Sequence, residues 1–339
     1  MGRVSPIKII ATLGPASSTE SVVRKMMLSG LDIVRLNFSH GSIKEHLERV
    51  NLIRRLNKKY RRAIKIMQDL EGYRIRVGRL KSPLILKKRE VFYLSNEKIE
   101  ERGIIPIDYK GSLSSIKKTQ LIYIDDARII LRVLKSSKKE LKVEVVLGGI
   151  LSSYKGINIP GFKIEYSGLT LKDKKSLETA FLFKPEFIAQ SFVRSPRDIL
   201  TLRESIRDKL PDSKIVAKIE NKTALKNIDK IIEVSDLIMI ARGDLGICLP
   251  FYRVPFIQKE IIKKAKMVKR EVIVATQMLE SMTENFFPTR AEVSDVANAI
   301  LDGATYLLLS GETAVGRYPW RVVEVMNKII NYTLSYLAS

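Results

Sequence analysis

KIIATLGPASSTESVVRKMMLSGLDIVRLNF, residues 8–38, holds two apolar, β-branched runs with an amphipathic stretch between them. Each run, KIIATL (8–13) and DIVRLNF (32–38), is about one strand long. Both are apolar at successive positions, as a strand buried on both faces must be. The stretch between them, SVVRKMMLSG (21–30), has helical spacing and ends on Gly30, which is suited to stop a helix. Strand, helix and strand in this order make a βαβ unit, whose strands run parallel. The alternation recurs along the chain. Further runs are IKIMQDL (64–70), EFIAQSF (186–192), KIVAKIE (214–220), LIMIAR (237–242), VIVATQM (272–278) and YLLLSGE (306–312). EVSDVANAILDG (292–303) is another helical gap, closed by Gly303. Eight such strands followed by helices predict an α/β fold, the (β/α)8 TIM barrel. On pattern alone a doubly wound parallel sheet is the alternative.

One gap is out of scale. More than a hundred residues separate the third run from the fourth, and they include alternating stretches such as ELKVEVVL (140–147). This predicts an all-β domain inserted after the third strand over 72–155, leaving 1–71 and 156–339 for the barrel. The insert carries 19 basic and 9 acidic residues, net +10 of the chain's +23, so it is the more basic part per residue.

Composition removes several classes. With 339 residues, 45% of them hydrophobic, the chain can bury a sizeable core and is not expected to be disordered. Its single cysteine, Cys248, excludes a disulfide scaffold and a cysteine-rich zinc site. No apolar run reaches the roughly 18 residues of a membrane span, and the N-terminus does not read as a secretory signal. A cytoplasmic protein without membrane contact is expected. The charge of +23 points to anionic partners. Because the basic residues are spread rather than bunched, nucleic acid is not expected as the main partner.

Polar residues cluster where a parallel barrel puts its active site, at the C-terminal ends of the strands. Arg35, Asn37, Ser39 and His40 end the second run, and Asp69 ends the third, with Arg74 and Arg76 beyond it. Lys218 and Glu220 end the fifth, Arg242 and Asp244 follow the sixth, and Thr276 and Gln277 lie in the seventh. Lys218 and Glu220 are two apart and share a face. Alone they would read as a structural ion pair. With Asp244 added, two carboxylates can hold Mg2+ while the lysine faces a phosphate or an enolate. Gly243 lacks a Cβ, so its backbone can approach an anion closely. His46 reads as a packing residue and Cys248 as a buried one. No Walker A motif and no GxGxxG occurs.

Eight stretches stand out along nearly the whole chain: KIIATLGPAS (8–17), VRLNFSHG (34–41), KGINIPG (155–161), KIEN (218–221), ARGDLG (241–246), ATQMLESM (275–282), PTRAEVSDVANAILDG (288–303) and LSGETAVGRYP (309–319). In these stretches and in their order the chain resembles the pyruvate kinases. The resemblance implies phosphoryl transfer from phosphoenolpyruvate to ADP, giving pyruvate and ATP, with Mg2+ or Mn2+ as cofactor. Arg35 matches the arginine that engages the phosphoryl group, and Lys218 the lysine that stabilises that group and the enolate. Glu220 and Asp244 match the metal ligands. Gly243 and Thr276 match contacts to the substrate carboxylate, Thr276 also belonging to the proton relay. Arg76 and Lys155 match nucleotide-phosphate contacts near the hinges of a lid formed by the insert, and Asn37 and His40 line the nucleotide side. The non-catalytic alternative is a protein that keeps this fold and binds nucleic acid or a protein partner through its basic surface. It has no need of the Arg35, Lys218, Glu220, Asp244 and Thr276 set.

Several departures from the family pattern stand out. The family usually continues into a C-terminal regulatory domain, whereas this sequence reads to Ser339 after a last helix. The expectation is a barrel and lid without the allosteric sugar-phosphate site, unless a separate chain supplies that domain, and with a possible homo-oligomer through the barrel face. After the third strand the family's proline is replaced, the segment reading Asp69-Leu70-Glu71-Gly72-Tyr73, and a frequent tyrosine is Glu45 here. Many members bind K+ at positions matching Asn37, Ser39, Asp69 and Leu70, with a nearby glutamate that is Arg74 in this chain. Leucine and a basic residue at the last two places resemble the K+-independent group, so K+ is expected to be dispensable.

Overall fold

The eight long apolar runs are strands with almost no exposed position, which is what a parallel sheet covered on both sides requires. The computed structural model of the chain describes residues 5–97, 103–162, 164, 166 and 168–339. In chain order the strands are β1 (Lys8–Thr12), β2 (Ile33–Asn37), β3 (Lys65–Asp69), β4 (Leu84–Leu86), β5 (Val91–Ser95), β6 (Ile104–Pro106), β7 (Leu121–Ile124) and β8 (Ile129–Ser136). They continue with β9 (Glu140–Leu147), β10 (Gly149–Leu151), β11 (Ile157–Asn158), β12 (Phe187–Gln190), β13 (Lys214–Ile219), β14 (Leu237–Ala241), β15 (Glu271–Ala275) and β16 (Tyr306–Leu309).

β1, β2, β3 and β12 to β16 close into a parallel barrel in the order β1-β16-β15-β14-β13-β12-β3-β2, with β2 pairing back to β1. All eight strands send alternate residues into one buried cluster that includes Ile10, Ile33, Met67, Ala189, Val216, Met239, Ile273 and Leu308. Alternation puts this set on the inner face, so the barrel is a filled core rather than a pore. Helices return the chain between strands. The helix Ile43–Tyr60 starts on Ser42, which forms a capping box with Glu45. The two helix-stopping glycines act as the sequence suggests. Gly303 caps Arg290–Asp302 at φ +108°, and Gly30, at φ +111°, follows the cap of Glu20–Leu28 by one residue. No helix among the described residues is long and apolar enough to cross a membrane.

β4 to β11 form the insert. Six strands make one sheet, β11-β7-β8-β9-β5-β6, antiparallel except for the β5–β6 pair, and β10 pairs with β4. β9 alternates buried and open residues along its length, the mark of a sheet with one covered face. Leu94, Ile105, Ile122, Leu131 and Val143 belong to its core. The strands of the insert continue past Lys155. The compact unit runs over 73–167, together with 243–253. The reason is that β11 hydrogen-bonds to β7, and Ile157 and Ile159 pack in the insert's core, so residues after Lys155 still belong to it.

Candidate active site

The site grows out of the barrel's own alternation. Two residues beyond the inner-face positions Ile10, Ile33, Met67, Ala189 and Val216 stand Thr12, Arg35, Asp69, Ser191 and Lys218. Equal parity makes these five the next interior layer, at the C-terminal strand ends, where polar groups replace hydrocarbon. Asp69 is its hub and is fully buried. One carboxylate oxygen accepts from Arg35 Nε at 2.6 Å, and the other lies 3.2 Å from both Lys218 Nζ and Ser191 Oγ. Lys218 Nζ also donates to Ser191 Oγ at 2.6 Å and sits 3.2 Å from Glu220 Oε1. Arg35 Nη1 donates to Thr12 Oγ1 at 3.0 Å, and that hydroxyl is anchored on the Leu309 carbonyl. Burial alone would push the Asp69 carboxyl up, but Lys218 and then Arg35 outweigh it and hold the group below the ordinary carboxylate range. The ion pair between Lys218 and Glu220 therefore exists, but as part of a six-residue network rather than as an isolated bridge.

Glu220 has a second anchor. Its Oε2 accepts from the Phe192 backbone N–H at 2.6 Å, at a residue held at φ +54°. Thr276, just past β15, is also left-handed at φ +67°, as is Gln277 at +54°. Its hydroxyl donates to the Ala275 carbonyl at 2.6 Å. On the loop after β2, Asn37 Oδ1 accepts from the Ser39 N–H at 3.1 Å. The His40 carbonyl lies 2.9 Å from His46 Nε2. His46 is buried, stacks on Phe38 and has its pKa lowered by that burial, so it packs as the sequence suggested. Leu70 is buried and extends the β3–β12 pairing through its N–H to the Ala189 carbonyl.

The remaining candidates lie in the other compact unit. Arg74 is only 16% exposed, and its guanidinium is 3.3 Å from both Asp244 and Asp126. Gly156 makes this possible, since a Cβ there would stand 2.4 Å from the Arg74 guanidinium carbon. Arg76 donates its backbone N–H to Asp108 and its Nη1 to the Tyr154 carbonyl, and Lys155 pairs with Asp125 at 2.9 Å. Gly243 opens the segment 243–253 of the same unit. Cys248 is buried against Asn158. The structure thus gathers Arg35, Asp69, Lys218 and Glu220 in one network on the barrel, which also carries Asn37, Ser39, His40, Leu70 and Thr276. It pairs Arg74 with Asp244 in the insert's unit. Sequence reading passed over Ser191 and Thr12, although strand parity in EFIAQSF and KIIATL marks both. It noted Arg242 without a role.

The donor chemistry suits a hard divalent cation. Among the described residues no group of three or more His, Cys, Asp or Glu is arranged to hold a metal by itself. Carboxylates such as Glu220 and Asp244 offer only oxygen, and Mg2+ typically takes one or two carboxylates and completes its octahedron with water and substrate.

Fold and site together define a closed (β/α)8 barrel that carries a buried charged network at the C-terminal ends of its strands. The chain belongs to the pyruvate kinase family. The family model for the pyruvate kinase barrel domain matches residues 4–323. A pyruvate kinase of Thermococcus litoralis is 42% identical over 334 residues, 98% of this chain and 70% of the relative. One from Thermotoga maritima is 40% identical over 95% of this chain and 70% of its own length. One from Staphylococcus epidermidis is 40% identical over 95% of this chain, which spans 56% of that relative.

Proposed function

We propose that this chain transfers the phosphoryl group of phosphoenolpyruvate to ADP, giving pyruvate and ATP. The observation that carries the reading is the buried Arg35–Asp69–Lys218–Glu220 network at the barrel's C-terminal end. Phosphoryl transfer asks a protein for positioning and charge stabilisation rather than covalent chemistry. Arg35 engages the phosphoryl group. An oxygen of the ADP terminal phosphate attacks phosphorus, the bond from phosphorus to the enol oxygen breaks, and its electron pair stays on the enolate. Lys218 stabilises both the moving group and that enolate, its ammonium already fixed by three partners and so needing no reorganisation. A proton then reaches the methylene carbon through a relay that includes Thr276. Gly243 and Thr276 contact the substrate carboxylate, Arg76 and Lys155 the nucleotide phosphates, and Asn37 and His40 the nucleotide side.

Glu220 and Asp244 would hold Mg2+ or Mn2+, which supplies countercharge to the transferring phosphoryl group. Arg74, already against Asp244, carries a fixed positive charge at the position where the family resemblance implies a glutamate, and K+ is dispensable. The test is a coupled assay for pyruvate with and without ADP. ADP-dependent pyruvate formation that needs Mg2+ is expected, and Asp244→Asn should lower it most at limiting Mg2+. Absence of pyruvate under all conditions, together with tight binding of polyanions, would overturn the reading in favour of the non-catalytic alternative.

A further inference from the structure

We propose that Arg242 is a positioning residue, the clamp that holds Thr276 in its left-handed backbone conformation. The proposal rests on the reading of Thr276 as part of the proton relay. Thr276 and Gln277 are consecutive and both have positive φ, at +67° and +54°. This region is unfavourable for L-residues and most of all for a β-branched one, because the Cβ crowds the backbone. Such a conformation persists only where the surroundings over-determine it.

Here one guanidinium does so. Arg242 directly follows β14, with its side chain only 10% exposed. Its Nη2 donates to the Thr276 carbonyl at 2.8 Å and to the Gln277 carbonyl at 3.0 Å, and its Nε reaches the Thr276 carbonyl at 3.2 Å. The fork is fixed from behind by Asp295, each of whose oxygens lies 2.7 Å from a guanidinium nitrogen. Gln258 Oε1, 3.4 Å from Nη1, and Met278 Sδ, 2.9 Å from Nη2, complete its surroundings.

The division of labour follows from this geometry. The Thr276 hydroxyl can be aimed only if the backbone that carries it is fixed, and both strained carbonyls point into one planar donor. A lysine offers a single nitrogen and cannot span two carbonyls while matching a carboxylate bidentately. The two ends of adjacent strands, β14 and β15, are thereby tied together by a side chain from one to the backbone of the other. The arginine acts through Thr276 alone, on the relay first and on the contact to the substrate carboxylate second.

The test separates proton transfer from phosphoryl transfer in the full chain. Solvent-deuterium incorporation at the pyruvate methyl group, followed by NMR, reads breakage of the C–H bond with return of a deuteron to the enolate. Steady-state kcat and the KM for phosphoenolpyruvate read the rest. Arg242→Lys should lower kcat and methyl exchange about tenfold or more, the scale of a misplaced group, while KM moves less than about threefold. Guanidinium added to Arg242→Ala should restore several-fold of the lost exchange. Adding Gln277→Gly to Arg242→Lys should recover part of it, since glycine takes positive φ unaided. A merely structural role would reduce the folded fraction without this rescue and without the split between kcat and KM.

Should Arg242 variants fail to fold, Asp295→Asn, which loosens the fork from behind, carries the same expected signature in milder form. Methyl exchange within about twofold of the parent in Arg242→Lys or Asp295→Asn, alongside an impaired Thr276→Ala, would overturn the clamp. Undiminished exchange in Thr276→Ala would instead overturn the reading of Thr276 on which it rests.

Discussion

The barrel and the insert use charge in opposite ways. At the barrel's C-terminal end Asp69, Lys218 and Glu220 are buried and bonded to one another. In the insert, pairs such as Arg132–Glu144 and Arg128–Asp125 lie at the surface. An ion pair in water contributes about 0–1 kcal/mol and weakens with salt. A buried pair loses most of its hydration, and removing one partner leaves an uncompensated charge. The same residue types are therefore replaceable in one region and not in the other. In the barrel the charges are fixed by one another, whereas most of the insert's net +10 is spread along its sequence as a diffuse attraction for phosphates.

The sharpest way to break this contrast is Lys218→Met, which keeps bulk and removes the charge. A loss of about a hundredfold or more in kcat is expected, the scale of one transition-state donor, with phosphoenolpyruvate binding less affected. Near-normal kcat would reduce Lys218 to an ion-pair partner of Glu220. Next in size is stability. Asp69 has a depressed folded pKa, so its contribution is fully present above the unfolded carboxylate value of about 4 and is lost as pH falls through the lower folded value. Asp69→Asn should cost about 3 kcal/mol at neutral pH, measured by denaturant unfolding, and should flatten the acid limb of the stability curve. An unchanged midpoint would mean that the hub contributes no stability.

How much of this was legible beforehand follows from the same physics. The barrel strands could be read because burial on both faces imposes long β-branched runs, and all eight appear where the runs lie. The three-residue strands β4, β6 and β10 are too short for any periodicity to show. The two-residue β11, which pairs with β7 beyond Lys155, is shorter still. Lys218 and Glu220 declared themselves by their spacing. Ser191 was equally legible by parity but looked like an ordinary strand residue. The function of Arg242 was not legible at all. It depends on positive φ at a Thr-Gln pair, where sequence rules look for glycine or asparagine.

The insert supplies a smaller test. Arg76 and Lys155 engage in exposed or half-buried contacts. Arg76→Ala and Lys155→Ala should raise the KM for ADP by several-fold, about tenfold at most, with little change in kcat. The difference from the parent should shrink as ionic strength rises. A salt-independent collapse of kcat in either variant would place that residue with the barrel network rather than with the insert's diffuse charge.

The smallest expected effect is the exchange of K+ for Na+ at matched ionic strength, which should change the rate by less than about twofold. Arg74 is the reason. It belongs to the insert's unit by sequence and contacts, yet it resembles the barrel residues in being largely buried and paired, with Asp244 and Asp126. A guanidinium never loses its charge, and a monovalent cation brought beside it would be repelled. Leu70, buried and without a hydroxyl, offers no side-chain oxygen to any cation. Arg74→Glu reverses the sign of that charge next to Asp244. It should lower activity in Na+ and restore much of it in K+, because a mobile cation can then stand where the fixed one stood. Activation of the parent by K+ of about tenfold or more would show that Arg74 only neutralises Asp244 and Asp126, and that the cation serving the substrate comes from solution.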